Sequence, residues 1–237
     1  IFHTSSKREK LIGSKQDQQD NSRLSKEIRE RREQLRKLTD QPTPGKWRLI
    51  DGTLVQEVTG NNVRTVLGNA DWGNCSLEVE VKKTSGTTEP FNFNAGIYLG
   101  IRAQDFSNGF LLHLGASDNR EHEILREVNG SFVRLAPRVA GTIKTGQWYS
   151  LKLSVNDGRL QAWLDQRLLF DIKDQNFPTG KLSFGNWLCQ TEWRNLRVTS
   201  DDGTILQAAF PALQAANFPP PPDITFTRDS LNHEIKV

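Results

Sequence analysis

No methionine occurs in the 237 residues, and the chain opens Ile1-Phe2-His3. The expectation is a processed or excised piece of a longer polypeptide, with Ile1-Phe2 and the polar run behind it read as the exit of a membrane helix lying upstream. Within the chain itself no run of about 18 apolar residues exists, so no segment has the make-up of a spanning helix. No secretory signal pattern is present either. Cysteine is nearly missing: Cys75 and Cys189 stand far apart and follow no metal-ligand spacing. Two buried free thiols are expected, because a disulfide would need their strands to be neighbours. The phosphate-binding glycine loop, the His-Glu-x-x-His zinc signature and the Gly-x-Ser-x-Gly nucleophile turn are all absent.

A strong charge of one sign is lacking as well. The formal net charge is +3, and residues 1–46 hold 12 Lys/Arg against 7 Asp/Glu, leaving the remainder slightly acidic. The basic excess belongs to an N-terminal arm without interleaved aromatics, which argues against a nucleic-acid partner.

Glycine and proline are missing from 14–39, where good helix formers dominate. Leu24, Ile28, Leu35 and Leu38 make a thin heptad seam with Arg31 in the missing step. Glu27 to Arg31 and Glu33 to Lys37 are favourable i,i+4 pairs. Asp40-Gln41-Pro42-Thr43-Pro44-Gly45 stops the helix. Under two clean heptads is too little for stable association in water, so this arm (1–46) reads as a polar connector touching another chain or domain, with a dimerising coiled coil as the competing reading.

From 47 to 207 the apolar period changes to two. Ser76–Lys82 alternates, as do Ala95–Arg102, Phe110–Leu114, Tyr149–Val155 and Leu160–Leu164. Asn156-Asp157-Gly158 is a hairpin signal, and 147–172 reads as a meander of three adjacent strands. About ten to twelve short strands without a helical window predict an antiparallel two-sheet sandwich or barrel, each sheet burying one face. The fold class expected is thus mostly β, with an N-terminal helical arm. Residues 208–237, with Phe218-Pro219-Pro220-Pro221-Pro222-Asp223, form a Pro-rich tail of spacer character. Its end, 223–237, has the composition of a further element.

The order of short motifs carries a resemblance. Trp47-Arg48-Leu49-Ile50-Asp51-Gly52-Thr53-Leu54 is followed by Asn94-Ala95-Gly96-Ile97, Gly146-Gln147-Trp148-Tyr149, Leu164-Asp165-Gln166 and Trp193-Arg194-Asn195-Leu196. Over about 160 residues this resembles the concanavalin A-like lectin/glucanase sandwich, most closely its 3-keto-disaccharide hydrolase branch related to family 16 glycoside hydrolases, with laminin-G-like domains as cousins. The resemblance implies a jelly roll, frequent in secreted or surface proteins of bacteria, and assigns Trp47, Trp72, Trp148 and Trp193 to the core. Fold carries no function across this superfamily.

Glycoside hydrolysis needs a carboxylic acid and a carboxylate. Family 16 enzymes place three acids along one strand, whereas this chain shows only pairs, Glu78/Glu80 and Glu121/Glu123, which also read as a wet sheet face. Where the branch carries a strand acid, the aligned position is Leu111, which weakens the enzyme reading. Glu121 and Glu123 remain the candidate catalytic acids. Sugar binding needs aromatic faces beside amides and charges. Tyr98, Arg102, His113 and Trp163 alternate with core-facing neighbours, and Trp187 ends a strand, so these five are the candidate ligand contacts. Laminin-G-like relatives imply a rim calcium ion, for which Asp105, Asn108, Asp118 and Asn119 are candidate oxygen donors. The reading that follows is a non-catalytic recognition or adhesion module for carbohydrate, or for a protein ligand, in a larger extracellular, periplasmic or cell-surface protein. A glycan-cleaving or 3-keto-disaccharide hydrolase is the alternative, and a structural assembly subunit the next.

Overall fold

The computed structural model describes residues 15–39, 45–86, 95–214 and 217–219. The chain divides into two units, Ile1–Thr39 and Asp40–Val237. In the first, helix α1 spans Lys15–Thr39. Leu24 and Ile28 are exposed on it, and the expected Glu27–Arg31 pair forms at 3.3 Å. The side chains of Glu33, Leu35, Lys37 and Leu38 lie outside the described residues, as do the stop at 40–44 and the tail from 220 onward.

The second unit is a stack of two antiparallel sheets. In chain order its strands are β1 (Trp47–Ile50), β2 (Thr53–Gln56), β3 (Val63–Leu67), β4 (Cys75–Gly86), β5 (Gly96–Ala103), β6 (Gly109–Gly115), β7 (Glu121–Val128), β8 (Ser131–Arg134), β9 (Val139–Ala140), β10 (Trp148–Asn156), β11 (Arg159–Leu164), β12 (Arg167–Lys173), β13 (Lys181–Trp187), β14 (Cys189–Ser200) and β15 (Ile205–Gln207). One sheet runs β1-β2-β14-β4-β10-β11-β12 with β15 beside β14. The other runs β3-β13-β5-β6-β7-β8 with β9 beside β7. The meander expected over 147–172 is β10-β11-β12. Its first turn puts Asp157 and Gly158 both at positive φ, the conformation a two-residue hairpin requires.

Alternation decides what goes inside. Leu77, Val79 and Val81 of β4, Leu151 and Leu153 of β10, and Trp193 of β14 face Ile97, Leu99 and Ile101 of β5, Leu112 of β6, Ile124 of β7 and Phe184 of β13. Phe184 meets Trp193 and Phe210 edge to face, with centroids 5.3 Å apart in each pair. Phe210 therefore belongs to this core, and Asn217 ties the following segment to β3 through the Val66 carbonyl and Thr65 hydroxyl. Trp47 and Trp193 are buried, but Trp148 is not core as expected. It stands on the outer face of its sheet, between the Arg194 guanidinium (3.9 Å from the ring centroid) and the Lys82 ammonium (4.8 Å). The two thiols are free and buried. They sit on paired strands but at opposite ends of the β4–β14 ladder, since Cys75 faces Ser200 and Cys189 faces Gly86. That separates them by roughly 35 Å, far beyond disulfide reach.

Candidate functional site

The outer face of the β3–β8 sheet carries one row in which register does the assembly. Tyr98 faces His113 across β5–β6, and His113 faces Glu123 across β6–β7. The Tyr98 and His113 rings lie 4.5 Å apart. His113 Nδ1 is 3.0 Å from Glu123 Oε1. The other carboxylate oxygen accepts from Arg134 Nε at 3.1 Å and from Arg138 Nε at 2.9 Å, and Arg138 Nη1 also reaches Glu121. Asn129-Gly130 turns the chain back, so β8 lies beside β7 and brings Phe132 and Arg134 to the same face. Phe132 stacks near Tyr98, with centroids 6.5 Å apart. At the far end Trp187 of β13 faces Gly96 of β5. Ser117 arrives from a turn in which Gly115, Ser117, Asp118 and Asn119 all have positive φ. Together these groups line a cleft of about 320 Å³.

Burial by itself would raise the Glu123 carboxyl. The hydrogen bonds from His113, Arg138 and Arg134, together with the His113 charge, outweigh it and hold the group at about 2. Glu123 is thus a carboxylate that only accepts hydrogen bonds, and it is not a proton donor near neutrality. It follows that His113 Nδ1 carries a proton. The wet-face reading of Glu123 is corrected here, since the residue is only 7% exposed. The charges that cover it come from β8 and from just ahead of β9, and neither is visible in the local pattern. His122, between the two glutamates, points inward. Burial first, then the Arg167 charge, lowers it to about 4, and its Nδ1 accepts from the Gly115 amide.

A buried ion pair supports the aromatic wall. Arg64 of β3 passes the bare Gly185 to reach Glu127 and the Phe106 carbonyl, and its guanidinium lies 5.3 Å from the Tyr98 ring and 5.7 Å from Phe132. A side chain at Gly185 would stand 2.5 Å from the Val63 carbonyl, so only glycine leaves Arg64 this path.

Of the residues singled out from sequence, Tyr98, His113, Glu123 and Trp187 share this cleft, with Glu121 at its edge. Arg102 does not. It is 4% exposed, has φ 55, and spends its guanidinium on the Phe177 carbonyl and Asn74. Trp163 lies on the other sheet, in an open hollow of about 640 Å³ with Lys152, Gln161 and Ser154, and Lys152 sits over its ring. Glu78 and Glu80 pair with Lys152 and Arg194 on that same face. Asp105 is turned onto Ser107 and Asn108, Asp118 onto Arg120, and Asn119 onto Ile143. Among the described residues no three His, Cys, Asp or Glu side chains cluster closely enough to hold a metal ion. Sequence reading missed Phe132, Arg134, Arg138 and Arg64. The Asn129-Gly130 turn was the available signal for the first two.

Two stacked antiparallel sheets in this order, one with a furnished outer face, make the second unit a concanavalin A-like jelly-roll domain. Residues 33–199 match the model of the 3-keto-alpha-glucoside-1,2-lyase-like domain, and the chain belongs to that family. Among solved structures it is similar to the carbohydrate binding module CBM66 from Bacillus subtilis. That similarity is at 20% identity and TM-score 0.55, covering 66% of this chain and 92% of that one. The galectin LEC-6 from Caenorhabditis elegans is similar at 12% identity and TM-score 0.41, covering 62% and 96%. No curated protein matches the sequence.

Proposed function

We propose that this domain binds carbohydrate in the cleft on the outer face of the β3–β8 sheet. One observation carries the reading: three aromatic rings (Tyr98, Phe132, Trp187) and four polar or charged side chains (His113, Glu123, Arg134, Arg138) converge on one small cleft. Apolar C–H faces of a sugar ring suit the half-buried Phe132 and Trp187, and its hydroxyls suit the arginine donors and the imidazole. Glu121 and Glu123 offset Arg134 and Arg138, so the ligand favoured is a neutral saccharide. The likeness to a carbohydrate binding module supports the same reading.

Titration calorimetry against neutral glucosides tests it. Binding should fall at least tenfold in Trp187→Ala, a loss of about 1.4 kcal/mol. Equal affinity in wild type and variant sinks the proposal.

A second reading rests on family membership together with the His113–Glu123 pair, an imidazole held by an ionised carboxylate as a base would be. In that reading the domain cleaves a 3-keto-α-glucoside. Acid-catalysed hydrolysis fits poorly, because the one carboxyl inside the cleft is held low. Product release from a 3-keto-α-glucoside, abolished by Glu123→Gln, would favour this reading over pure binding.

A further inference from the structure

His113 has two ring nitrogens with opposite fates. Nδ1 is fixed on Glu123, while Nε2 is buried and has no hydrogen-bond partner. The residue is only 6% exposed, yet it lines the cleft. Because Glu123 can only accept, the proton sits on Nδ1 and the neutral ring presents a lone pair at Nε2. A buried acceptor left without a donor is destabilising, so the position calls for a partner.

The surroundings keep room for one. Nε2 lies over Gly96, where a Cβ would stand only 2.4 Å away. Gly96 is flanked by the Tyr98 ring and faces Trp187 across the β5–β13 ladder. The missing side chain thus leaves a recess bounded by two aromatic residues, with one acceptor atom at its base. On the opposite side Arg134 contacts Glu123 through Nε, and Arg138 contacts Glu123 and Glu121 through Nε and Nη1, so acceptor and cationic donors flank one space.

We infer that His113 Nε2 is the specificity-determining atom of the cleft: it accepts the proton of one saccharide hydroxyl, and the neighbouring arginines donate to the oxygens beside it. The inference rests on the carbohydrate reading above and deepens it. It distinguishes sugars by a single hydroxyl rather than by overall size. His113 acts here by direct contact with ligand, and Glu123 is a positioning residue that fixes which nitrogen is bare.

The test uses the full chain with methyl α-D-glucopyranoside and its monodeoxy analogues as probes. In His113→Asn the side-chain amide lies near the place of Nδ1, so the Glu123 contact is kept and the acceptor at Nε2 is lost. In His113→Gln the side-chain carbonyl reaches toward the place of Nε2. Binding should weaken about tenfold in the Asn variant and much less in the Gln variant, a split that a merely structural role would not give. One monodeoxy glucoside should bind wild type about tenfold more weakly than the parent sugar does, yet match the parent on His113→Asn. In histidine-labelled protein, the Nε2 nitrogen resonance should move on sugar addition while the Nδ1 resonance holds.

If the parent glucoside binds and is lost in Trp187→Ala, but Nε2 does not move and no deoxy analogue separates wild type from His113→Asn, this inference is wrong while the cleft stands. If no glucoside binds, both fall together.

Discussion

Gly96 and His113 sit diagonally across the β5–β6 pair, so close that a methyl on Gly96 would stand 2.4 Å from the imidazole Nε2 and 2.8 Å from the Leu114 carbonyl. Neither neighbour can retreat, since Glu123 holds the ring and the ladder holds the carbonyl. Gly96→Ala is expected to cost about 1–3 kcal/mol by overpacking and to remove saccharide binding. Urea denaturation and calorimetry check it, and wild-type values for both would contradict the geometry.

Acid stability should fall in two adjoining windows. His122 sits at about 4 in the fold against an ordinary 6.5. The unfolded chain therefore takes up a proton that the fold refuses, and stability declines as pH drops from 6.5 toward 4. Glu123 sits at about 2 against 4.5, so its contribution is complete above 4.5 and is lost as pH falls toward 2. His122→Asn should flatten the upper window. Glu123→Gln should flatten the lower one and cost on the order of 2–3 kcal/mol at neutral pH. Urea midpoints measured from about pH 3 to about pH 8 report both, and unchanged slopes would refute the assignments.

Neither thiol should react in the folded protein. Burial pushes Cys189 up to about 12 and raises Cys75 as well, so the thiolate is scarce as well as shielded. Thiol-specific labelling should begin only where urea unfolds the chain, and electrophoretic mobility should not change with reductant. Labelling of the native protein at neutral pH would disprove it.

The tryptophans should separate sharply by stability. Trp193 is wholly buried, between Phe184 and the β4 strand, and Trp193→Ala is expected to cost about 3–5 kcal/mol. Trp148 only covers Lys82 and Arg194 at the surface, so Trp148→Ala should cost about 1 kcal/mol. Similar losses in the two variants would show that the outer-face placement of Trp148 is wrong.

The sandwich could be read in advance because two-residue alternation reports directly which side of a strand is dry. The same rule located Tyr98 and His113 and placed Trp163 outward. It failed at Arg102, where a left-handed residue breaks the alternation beside a register shift in the β5–β13 ladder and re-aims the side chain. It failed at Trp148, because two long cations from neighbouring strands hide an outward ring. Glu123 looked wet for a related reason: its partners Arg134 and Arg138 come from later strand and loop positions, and cross-strand pairing is not written in any one segment. Arg64 was the hardest to see, because its route across the sheet depends on the absence of a side chain at Gly185.

The Glu123 clamp has a further consequence. Two long, flexible arginines and an imidazole are drawn into fixed poses while the chain folds, before any visitor arrives. A guest entering the cleft then meets a rigid mould and surrenders little further motion from the host, so association should proceed without a rearrangement step and discrimination should be strict.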